Sequence, residues 1–407
     1  MKITFIGDIM CEKPLQRYYN KHPNYDFGDI FKETKNLFSN SDLVVGNLET
    51  VFAGENVSYT NHIYNFNTPD QFARAMKQGG IDIVTTATNH CLDRGIAGLV
   101  RTLDILDQNK IDHTGTYRNK KERNTIYYKE IDNKKIAFLS YTYGTNTHET
   151  NVILKKEQLY HLNLLKPQTY NLQKVIGQNR SSAFRKMIAR LLGQKLSLET
   201  KMKIKRKMHM TYNVPRVDIL SREELDSTYL EQIKSDIIQA KKETDFVVAC
   251  VHMGGQFNSV PGEFSEYIMN FFVNQGVDLI IGTHPHVVQK YETINNTPIA
   301  YCLGNYSISP SSVYLLDEYK PEYSIAMHVY LKNDNIQISK ITFSILKIVE
   351  EKNGKLTVWP IDQLYKKLGA KEKEKLKKDA VYIYNRFLNL KKNEIDILKE
   401  YRIPNKK

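Results

Sequence analysis

The sequence predicts an α/β fold built on a largely parallel β-sheet. Two observations carry this prediction. Short apolar runs rich in β-branched residues alternate with segments of helical periodicity along most of the 407 residues. Several of the predicted strands then end in polar residues that can act as ligands. Strands that alternate with helices are typical of parallel sheets covered by helices. A composition of 41% hydrophobic and 25% charged residues agrees with a soluble globular protein large enough for one big core or two domains.

The order of the elements follows from this alternation. The predicted strands are 2–9, 43–45, 82–86, 135–142, 245–251, 277–281 and 298–303, each short, apolar and rich in strand-forming residues. The predicted helices are 69–78, which has a proline in its first turn, 98–109, 223–242 and 263–275. Two later runs, 323–331 and 336–346, follow each other without a helix between them, which predicts antiparallel strands.

Two segments carry the basic charge of the chain. Residues 152–210 have helical periodicity and hold 14 basic against 2 acidic residues, and residues 351–407 hold 16 against 8, with a helical tail predicted over 366–398. Because the whole chain has a net charge of +13, the remaining residues carry −7. We expect a main domain over 1–350 with a basic helical insertion at about 152–210, and a basic helical C-terminal extension over 351–407. A solvated helical face explains most such charge runs; the alternative is that the insertion steers an anionic substrate.

Cysteine spacing and the N-terminus limit the class of protein. The four cysteines show no paired spacing, which disfavours a zinc finger or a disulfide framework. The chain opens on a strand instead of the pattern of a signal peptide, and no apolar run is long enough to span a bilayer. These features predict a cytoplasmic or peripherally membrane-associated protein.

Ligand-type side chains stand at or just past the ends of five predicted strands. These side chains are Asp8, Glu49, Asn89 with His90, His252, and His284 with His286. In open α/β sheets, ligands bind outside the carboxyl ends of the strands. Taken alone, the last two histidines agree with a solvated turn, and each carboxylate agrees with a helix cap. Five such strand ends together favour a binding site.

The chemistry of these side chains favours a divalent metal. Carboxylates, one amide and several imidazoles without any thiolate do not match a closed structural zinc site. They match Mn, Fe or Zn in a site that keeps positions open for water. Such a site can lower the pKa of bound water and polarise a phosphoryl oxygen. We therefore predict one or two divalent ions as the cofactor.

Six sequence motifs resemble those of a known family. They are Gly7-Asp8-Ile9-Met10, Gly46-Asn47-Leu48-Glu49, Thr88-Asn89-His90-Cys91-Leu92-Asp93-Arg94-Gly95, Val251-His252-Met253-Gly254-Gly255-Gln256-Phe257, Gly282-Thr283-His284-Pro285-His286-Val287-Val288-Gln289 and Leu303-Gly304-Asn305-Tyr306. In this order the chain resembles the CapA family of poly-γ-glutamate capsule biosynthesis proteins, a branch of the calcineurin-like metallophosphoesterases. The resemblance covers about residues 1–345, interrupted by the insertion, and implies a four-layer α/β/β/α sandwich with a metal site at the strand ends.

The resemblance also implies a role for each candidate residue. Asp8 and His286 would bind a first metal ion, Glu49 would bridge two ions, and Asn89, His252 and His284 would bind the second ion. His90 resembles the histidine that protonates the leaving group or stabilises the transition state, and Asp93 would orient its ring.

The chain departs from the family pattern at two places. Met10 stands where the superfamily usually has a histidine ligand, which predicts one tight and one weak ion. Met253 stands where CapA-like chains typically have tryptophan. In addition, many family members carry a membrane anchor near the N-terminus, whereas none is predicted here.

Two functions follow from the sequence. The first is a metal-dependent phosphoesterase-type hydrolase in capsule or cell-surface polymer biosynthesis, which attacks an anionic or phosphorylated substrate with metal-activated water. The second is a non-catalytic partner that binds polymer or assembles with capsule synthesis and export proteins. A metallonuclease is disfavoured because the basic segments lack the interleaved aromatic residues of a nucleic-acid platform.

Overall fold

The protein has two mixed β-sheets with helices on their outer faces, as the sequence predicts. The computed structural model describes residues 1–21, 26–168, 197, 200–201, 204, 218–220, 225, 227–315, 317–332 and 336–404. The strands in chain order are β1 (Lys2–Ile9), β2 (Leu43–Leu48), β3 (Ile83–Thr85), β4 (Asp112–Thr114), β5 (Tyr128–Ile131), β6 (Lys134–Thr142), β7 (Phe246–His252), β8 (Leu279–Thr283), β9 (Tyr291–Ile294), β10 (Thr297–Ala300), β11 (Asn305–Ser307), β12 (Tyr323–Leu331), β13 (Ile338–Glu350), β14 (Leu356–Pro360) and β15 (Tyr401–Arg402).

The helices of the described residues lie between these strands and after them. They are α1 (Lys13–Tyr19), α2 (Gly28–Lys32), α3 (Lys35–Phe38), α4 (Gln71–Gln78), α5 (Gly95–Gln108), α6 (Lys120–Arg123), α7 (Thr147–Thr150), α8 (Ser227–Glu243), α9 (Glu263–Asn274), α10 (Ile361–Lys367) and α11 (Ala370–Leu388). Short 3-10 turns cover Glu55–Val57, Lys156–His161 and Asp317–Tyr319. Most predicted elements occur within a few residues of their expected bounds. None of the helices described here has the length and apolar character needed to cross a membrane.

The first sheet has the order β14-β13-β12-β1-β2-β3-β4, with β11 beside β1 and β15 beside β13. Strands β1 to β4 are parallel to one another. Strands β12 and β13 pair antiparallel, as their sequence pattern predicts. In the second sheet, of order β5-β6-β7-β8-β10-β9, the four inner strands are parallel and the two edge strands are antiparallel.

Three hydrophobic clusters define four layers. Between the sheets, Phe5 of β1 packs in one cluster with Phe138 of β6. On the outer face of the first sheet, the core includes Phe72 of α4 and Leu103 of α5. On the outer face of the second sheet, the core includes Phe272 of α9. Because each inner strand is covered on both faces, its sequence is a nearly continuous apolar run. The layers follow the α/β/β/α sandwich that the family resemblance implies.

The start of the predicted insertion belongs to the packed sandwich. Leu162 and Leu164 are buried and form isolated bridges with Thr116 and Thr142. Between them, Asn163 donates from its side chain to the Ser140 carbonyl, at 3.0 Å. The bridges at Leu162 and Leu164 are typical of a strand. A segment of three residues is too short for the sequence pattern to distinguish a strand from a helix. The helical prediction therefore fails for this stretch, while most of 169–210 lies outside the described residues.

The predicted helical tail is shorter than expected and is packed against the sandwich. It forms α10 and α11, and the residues from Asn389 to the last strand are not helical. Helix α11 ends because Asn389 adopts a left-handed conformation with φ of 52°. Phe387 of α11 contacts Phe343 of β13, with ring centroids 4.9 Å apart. The last strand, β15, pairs with β13, so the C-terminal extension completes the first sheet.

Candidate metal centre

The predicted ligands converge at the carboxyl ends of strands from both sheets. Atoms of Glu49, His252 and His284 that can bind a metal lie within 4.8 Å of one another. The same holds for Asp8, Glu49 and His286. All five side chains are buried. The structure therefore contains two overlapping groups that could bind a metal, and both include Glu49.

Glu49 lies at the centre of the imidazoles. Its Oε1 lies 3.5 Å from His252 Nε2, 3.7 Å from His286 Nε2 and 3.9 Å from His90 Nε2. Neither Glu49 oxygen has a hydrogen-bond partner in the part of the chain that the structure describes, and the same is true of His284 Nδ1. Buried polar atoms are rarely left without partners. A divalent cation would satisfy these three atoms, and oxygen with imidazole nitrogen is a donor set that Mn, Fe and Zn accept.

The pKa shifts of these groups favour the binding of a cation. Burial raises the pKa of Glu49, but the His286 and His252 imidazoles outweigh it and bring the pKa below its usual value. Burial lowers the pKa of His286, yet Glu49 and Asp8 raise it to about 9. Burial and the neighbouring histidines hold the pKa of His284 well below its usual value, so this ring stays neutral with a lone pair available for a metal. In the metal-free protein, a proton on His286 therefore supplies the positive charge beside Glu49 and Asp8.

The turn after β8 separates the two neighbouring histidines. His284 has φ of 99° and His286 has φ of 60°, both in a region that residues other than glycine seldom adopt. The backbone N–H of His284 donates to Asp8 Oδ2 at 3.2 Å, which ties this turn to the end of β1. Such unusual conformations persist only where the surroundings enforce them, and they concentrate at functional sites. The two rings thus belong to different ligand groups.

Asn89 lies against the group of Glu49, His252 and His284. Its Oδ1 lies 2.7 Å from His252 Nε2. On the other side of that ring, His252 Nδ1 lies 3.0 Å from Thr283 Oγ1. The histidine is therefore held in place at Nδ1, while Nε2 faces Asn89 and Glu49.

His90 and Asp93 form a buried pair beside the ligands. Asp93 Oδ2 lies 2.7 Å from His90 Nδ1 and accepts a hydrogen bond of 2.6 Å from the Phe66 backbone. The Phe66 ring stacks on the imidazole, with centroids 4.2 Å apart. Burial raises the pKa of Asp93, and the adjacent imidazole opposes this shift. The ring is thus oriented with Nε2 towards Glu49.

The two positions that depart from the family pattern serve packing. Met10 is buried in the core between the first sheet and its outer helices, and Met253 is buried in the core of the second sheet. The ligand group of Asp8, Glu49 and His286 therefore receives no imidazole from position 10.

Sequence reasoning missed three asparagines that orient the ligands. Asn47 Nδ2 donates to Asp8 Oδ1 at 2.8 Å, and its Oδ1 accepts from Thr85 Oγ1 at 2.8 Å. Asn305 Oδ1 lies 2.9 Å from His286 Nδ1. The third, Asn146, lies beside Asn89 and His90. A signal existed for Asn47, since it lies within the Gly46-Asn47-Leu48-Glu49 motif, two residues before Glu49.

Comparisons with known proteins identify the family of the chain. A family model described as bacterial capsule synthesis protein PGA_cap matches residues 2–310. The chain is 23% identical over 309 residues to "Capsule biosynthesis protein CapA" of Bacillus anthracis, which covers 75% of this chain and 59% of that protein. It is 23% identical over 309 residues to "PGA biosynthesis protein CapA" of Bacillus subtilis (strain 168), with 75% and 63% covered. A third relative, "Uncharacterized protein y4sH" of Sinorhizobium fredii, is 23% identical over 330 residues, with 74% and 64% covered.

The match spans about three-fifths of the length of these curated relatives. Within this chain, however, it covers well over half of the residues, among them every predicted ligand. The protein belongs to the family of bacterial capsule synthesis proteins described as PGA_cap.

Proposed function

We propose that the protein is a metal-dependent phosphoesterase-type hydrolase that acts in the synthesis of a bacterial capsule or another anionic surface polymer. One observation carries this proposal: the buried Glu49 carboxylate is shared by two ligand groups, and both of its oxygens lack a hydrogen-bond partner among the described residues. A carboxylate whose oxygens make no other hydrogen bond would be free to bind both ions. The capsule context comes from the names of the family and of two relatives.

The residues that would hold the ions are Asp8, Glu49 and His286 for one, and Glu49, Asn89, His252 and His284 for the other. A bound ion of the Mn, Fe or Zn class lowers the pKa of water and polarises the phosphoryl group. Asn47 and Thr283 fix the orientation of Asp8 and His252, and so preorganise the site.

In this proposal, His90 protonates the leaving group. With its Nδ1–H donated to Asp93, the ring presents Nε2 on the side of Glu49. In its protonated form the ring would donate from Nε2 to the oxygen of the departing alcohol as the P–O bond to that oxygen breaks and the bond to the attacking oxygen forms, and solvent water would then restore the proton on the ring. Phe66 covers one face of the ring and excludes water from it.

The test is metal analysis of the purified protein, followed by assays with chromogenic phosphomonoesters and phosphodiesters. We expect one or two equivalents of a divalent metal, and hydrolysis that a chelator abolishes and the metal restores. A protein that binds no Mn, Fe or Zn, or that is loaded with metal and hydrolyses neither ester, would contradict the proposal.

Replacing His90 with glutamine is expected to lower kcat by roughly 10² to 10⁴ while leaving the metal content unchanged, because positioned acid catalysis contributes about that factor. Steady-state kinetics and mass-spectrometric metal analysis measure the two quantities. His113→Gln is the matched control, since His113 also contacts an aspartate, with Nε2 3.0 Å from Asp107 Oδ1, but lies in β4 away from the ligands. Equal kcat values for the two variants would remove His90 from the mechanism.

A second candidate function is binding of the anionic polymer without catalysis, and the C-terminal helices favour it. Lys367 lies over the Trp359 ring at 4.1 Å, and Lys373 and Lys377 lie over the Tyr365 ring at 5.2 and 5.6 Å. These contacts hold the ammonium groups along one basic surface. A polycarboxylate chain such as poly-γ-glutamate has the complementary charge.

Exchanging Lys367, Lys373 and Lys377 for glutamine is expected to weaken poly-γ-glutamate binding about tenfold. Each exposed ion contact is worth about 0.2–1 kcal/mol, and about 1.4 kcal/mol corresponds to a tenfold change in affinity. The control exchanges Lys110, Lys120 and Lys121, which are exposed and lie in the first half of the chain. Titration at several salt concentrations measures both affinities. If the two triple variants bind equally, the C-terminal surface is not the polymer site.

A further inference from the structure

Asn146 lies between a predicted metal ligand and the proposed acid, in the turn between β6 and α7. It is half-buried, and neither the family match nor the ligand groups assign it a role. The neighbouring residue, Thr145, accepts a hydrogen bond from Gln168, which holds the turn in place. The fold therefore fixes the position of Asn146 in this turn.

The first contact fixes the orientation of Asn89. Asn89 Nδ2 donates to Asn146 Oδ1 at 3.1 Å, and the Asn146 backbone N–H donates to the Asn89 carbonyl at 2.9 Å. With its NH₂ group held by Asn146, Asn89 presents Oδ1 to the side of His252 Nε2. Rotating this amide by 180° hardly changes its shape but would present NH₂ to the ion, and NH₂ offers no lone pair for a metal. Asn146 therefore selects the orientation of Asn89 that can bind a metal.

The second contact links the same residue to His90. Asn146 Nδ2 lies 3.2 Å from His90 Nδ1 and 3.3 Å from Nε2. The Asn146 amide therefore lies against both nitrogens of the ring. One side chain thus contacts both the ligand of the second ion and the ring that faces it.

We propose that Asn146 is a positioning residue that sets the affinity of the second ion, the one bound by Glu49, Asn89, His252 and His284. This inference rests on the proposed function, because it concerns the same two-ion site. By contrast, we expect the affinity of the ion bound by Asp8, Glu49 and His286 not to depend on Asn146. The structure supports this separation, since His286 is oriented by Asn305 instead.

The test is calorimetric titration of metal-free protein with Mn²⁺ and, separately, with Zn²⁺. Loss of an outer partner of a metal ligand typically costs about 10- to 100-fold in affinity. We expect Asn146→Ala to weaken one binding step by about that factor and to leave the other unchanged. Asn146→Asp keeps the oxygen that accepts from Asn89 and should retain both affinities. His286→Ala is the reciprocal variant and should weaken the step that Asn146→Ala leaves intact.

The outcomes separate this inference from the proposed function. Wild-type protein that binds no ion overturns both. The inference alone is overturned if the wild-type protein binds two ions and hydrolyses phosphoesters while Asn146→Ala binds both ions as wild type does. It is overturned equally if Asn146→Ala loses affinity for both ions to the same extent. An Asn146→Asp variant as weak as Asn146→Ala also overturns it, because the shared oxygen would then not matter. If the wild type binds one ion, Asn146→Ala must weaken that step for the inference to stand. The melting temperature of the metal-free variants shows whether a loss reflects misfolding.

Discussion

Glutamine in place of Glu49 is expected to remove both ions from the protein and to reduce phosphoesterase activity by roughly 10³-fold or more. Glu49 is the single residue common to the two ligand groups. Glutamine keeps the shape but loses the negative charge, and it offers an oxygen on one side only. Bound metal contributes several kcal/mol to transition-state stabilisation, and each 1.36 kcal/mol is about a tenfold change in rate. Metal content by mass spectrometry and ester hydrolysis measure the two losses.

The same substitution is expected to lower the stability of the metal-free protein at neutral pH. In that state the His286 and His252 imidazoles outweigh burial and hold the pKa of Glu49 below its usual value, so the folded protein stabilises this carboxylate and glutamine loses that stabilisation. The stabilisation by metal, which reaches about 2.7 kcal/mol at an ion concentration of 100 times Kd, disappears as well. Thermal unfolding with metal and with chelator separates the two states.

Glu12→Gln is the matched control for Glu49→Gln. Glu12 is another buried carboxylate, but its Oε1 accepts from the Ser309 backbone N–H at 2.7 Å and it belongs to neither ligand group. We expect this variant to keep both ions and the metal-dependent rise in melting temperature. A Glu49→Gln protein that still binds two ions would contradict the bridging role.

The ligands were predictable because of how parallel strands end. Asp8, Glu49 and His252 each stand at the carboxyl end of an apolar run, and such ends meet at one edge of a sheet. The alternation of strands and helices thus predicts both the fold class and the neighbourhood of these side chains. The overlap of the two groups at Glu49 agrees with the family resemblance, and their roles in catalysis remain a proposal.

The orienting residues were not predictable in the same way. Asn47 contacts His252, 205 positions away in the chain, and Asn146 contacts Asn89 across 57 positions. Asparagine is common in turns for purely local reasons, so the residue type alone carries no signal for such a contact. Only the packing of the two sheets shows which amides face the ligands.

The end of the C-terminal helix was missed for a related reason. Residues 366–398 contain good helix formers almost throughout, which is why a single helix was predicted. In the structure, the Asn385 side chain donates to the Lys392 carbonyl at 2.7 Å and accepts from the Lys392 N–H at 2.9 Å. These contacts stabilise a turn after α11 and direct the chain back to β13. Helix propensity could not reveal them, because they form only once the chain has reversed.

Alanine in place of Gly282 is expected to destabilise the protein by about 3 kcal/mol or more, at the upper end of the effects of overpacking. Gly282 lies in β8, and a Cβ atom there would lie 2.0 Å from the Tyr301 carbonyl oxygen and 2.7 Å from its carbon. Both are backbone atoms, so no side-chain rotation can relieve the clash. The strand would have to move away from its neighbour. Because His284 follows two residues later, the same movement displaces a ligand, and metal affinity should fall together with stability.

Gly144→Ala is the control that isolates this effect. Gly144 lies just past the end of β6, and a Cβ atom there would meet nothing within 4 Å. We expect its unfolding free energy to stay within about 0.5 kcal/mol of wild type, because the added methyl group meets no neighbouring atom. Denaturant unfolding of the metal-free proteins measures both variants, and metal titration follows. Should Gly282→Ala unfold like Gly144→Ala, close backbone approach would not be the reason for glycine before the two histidines. A large loss for Gly282→Ala alone would show that the strand geometry that positions His284 also limits the stability of the sandwich.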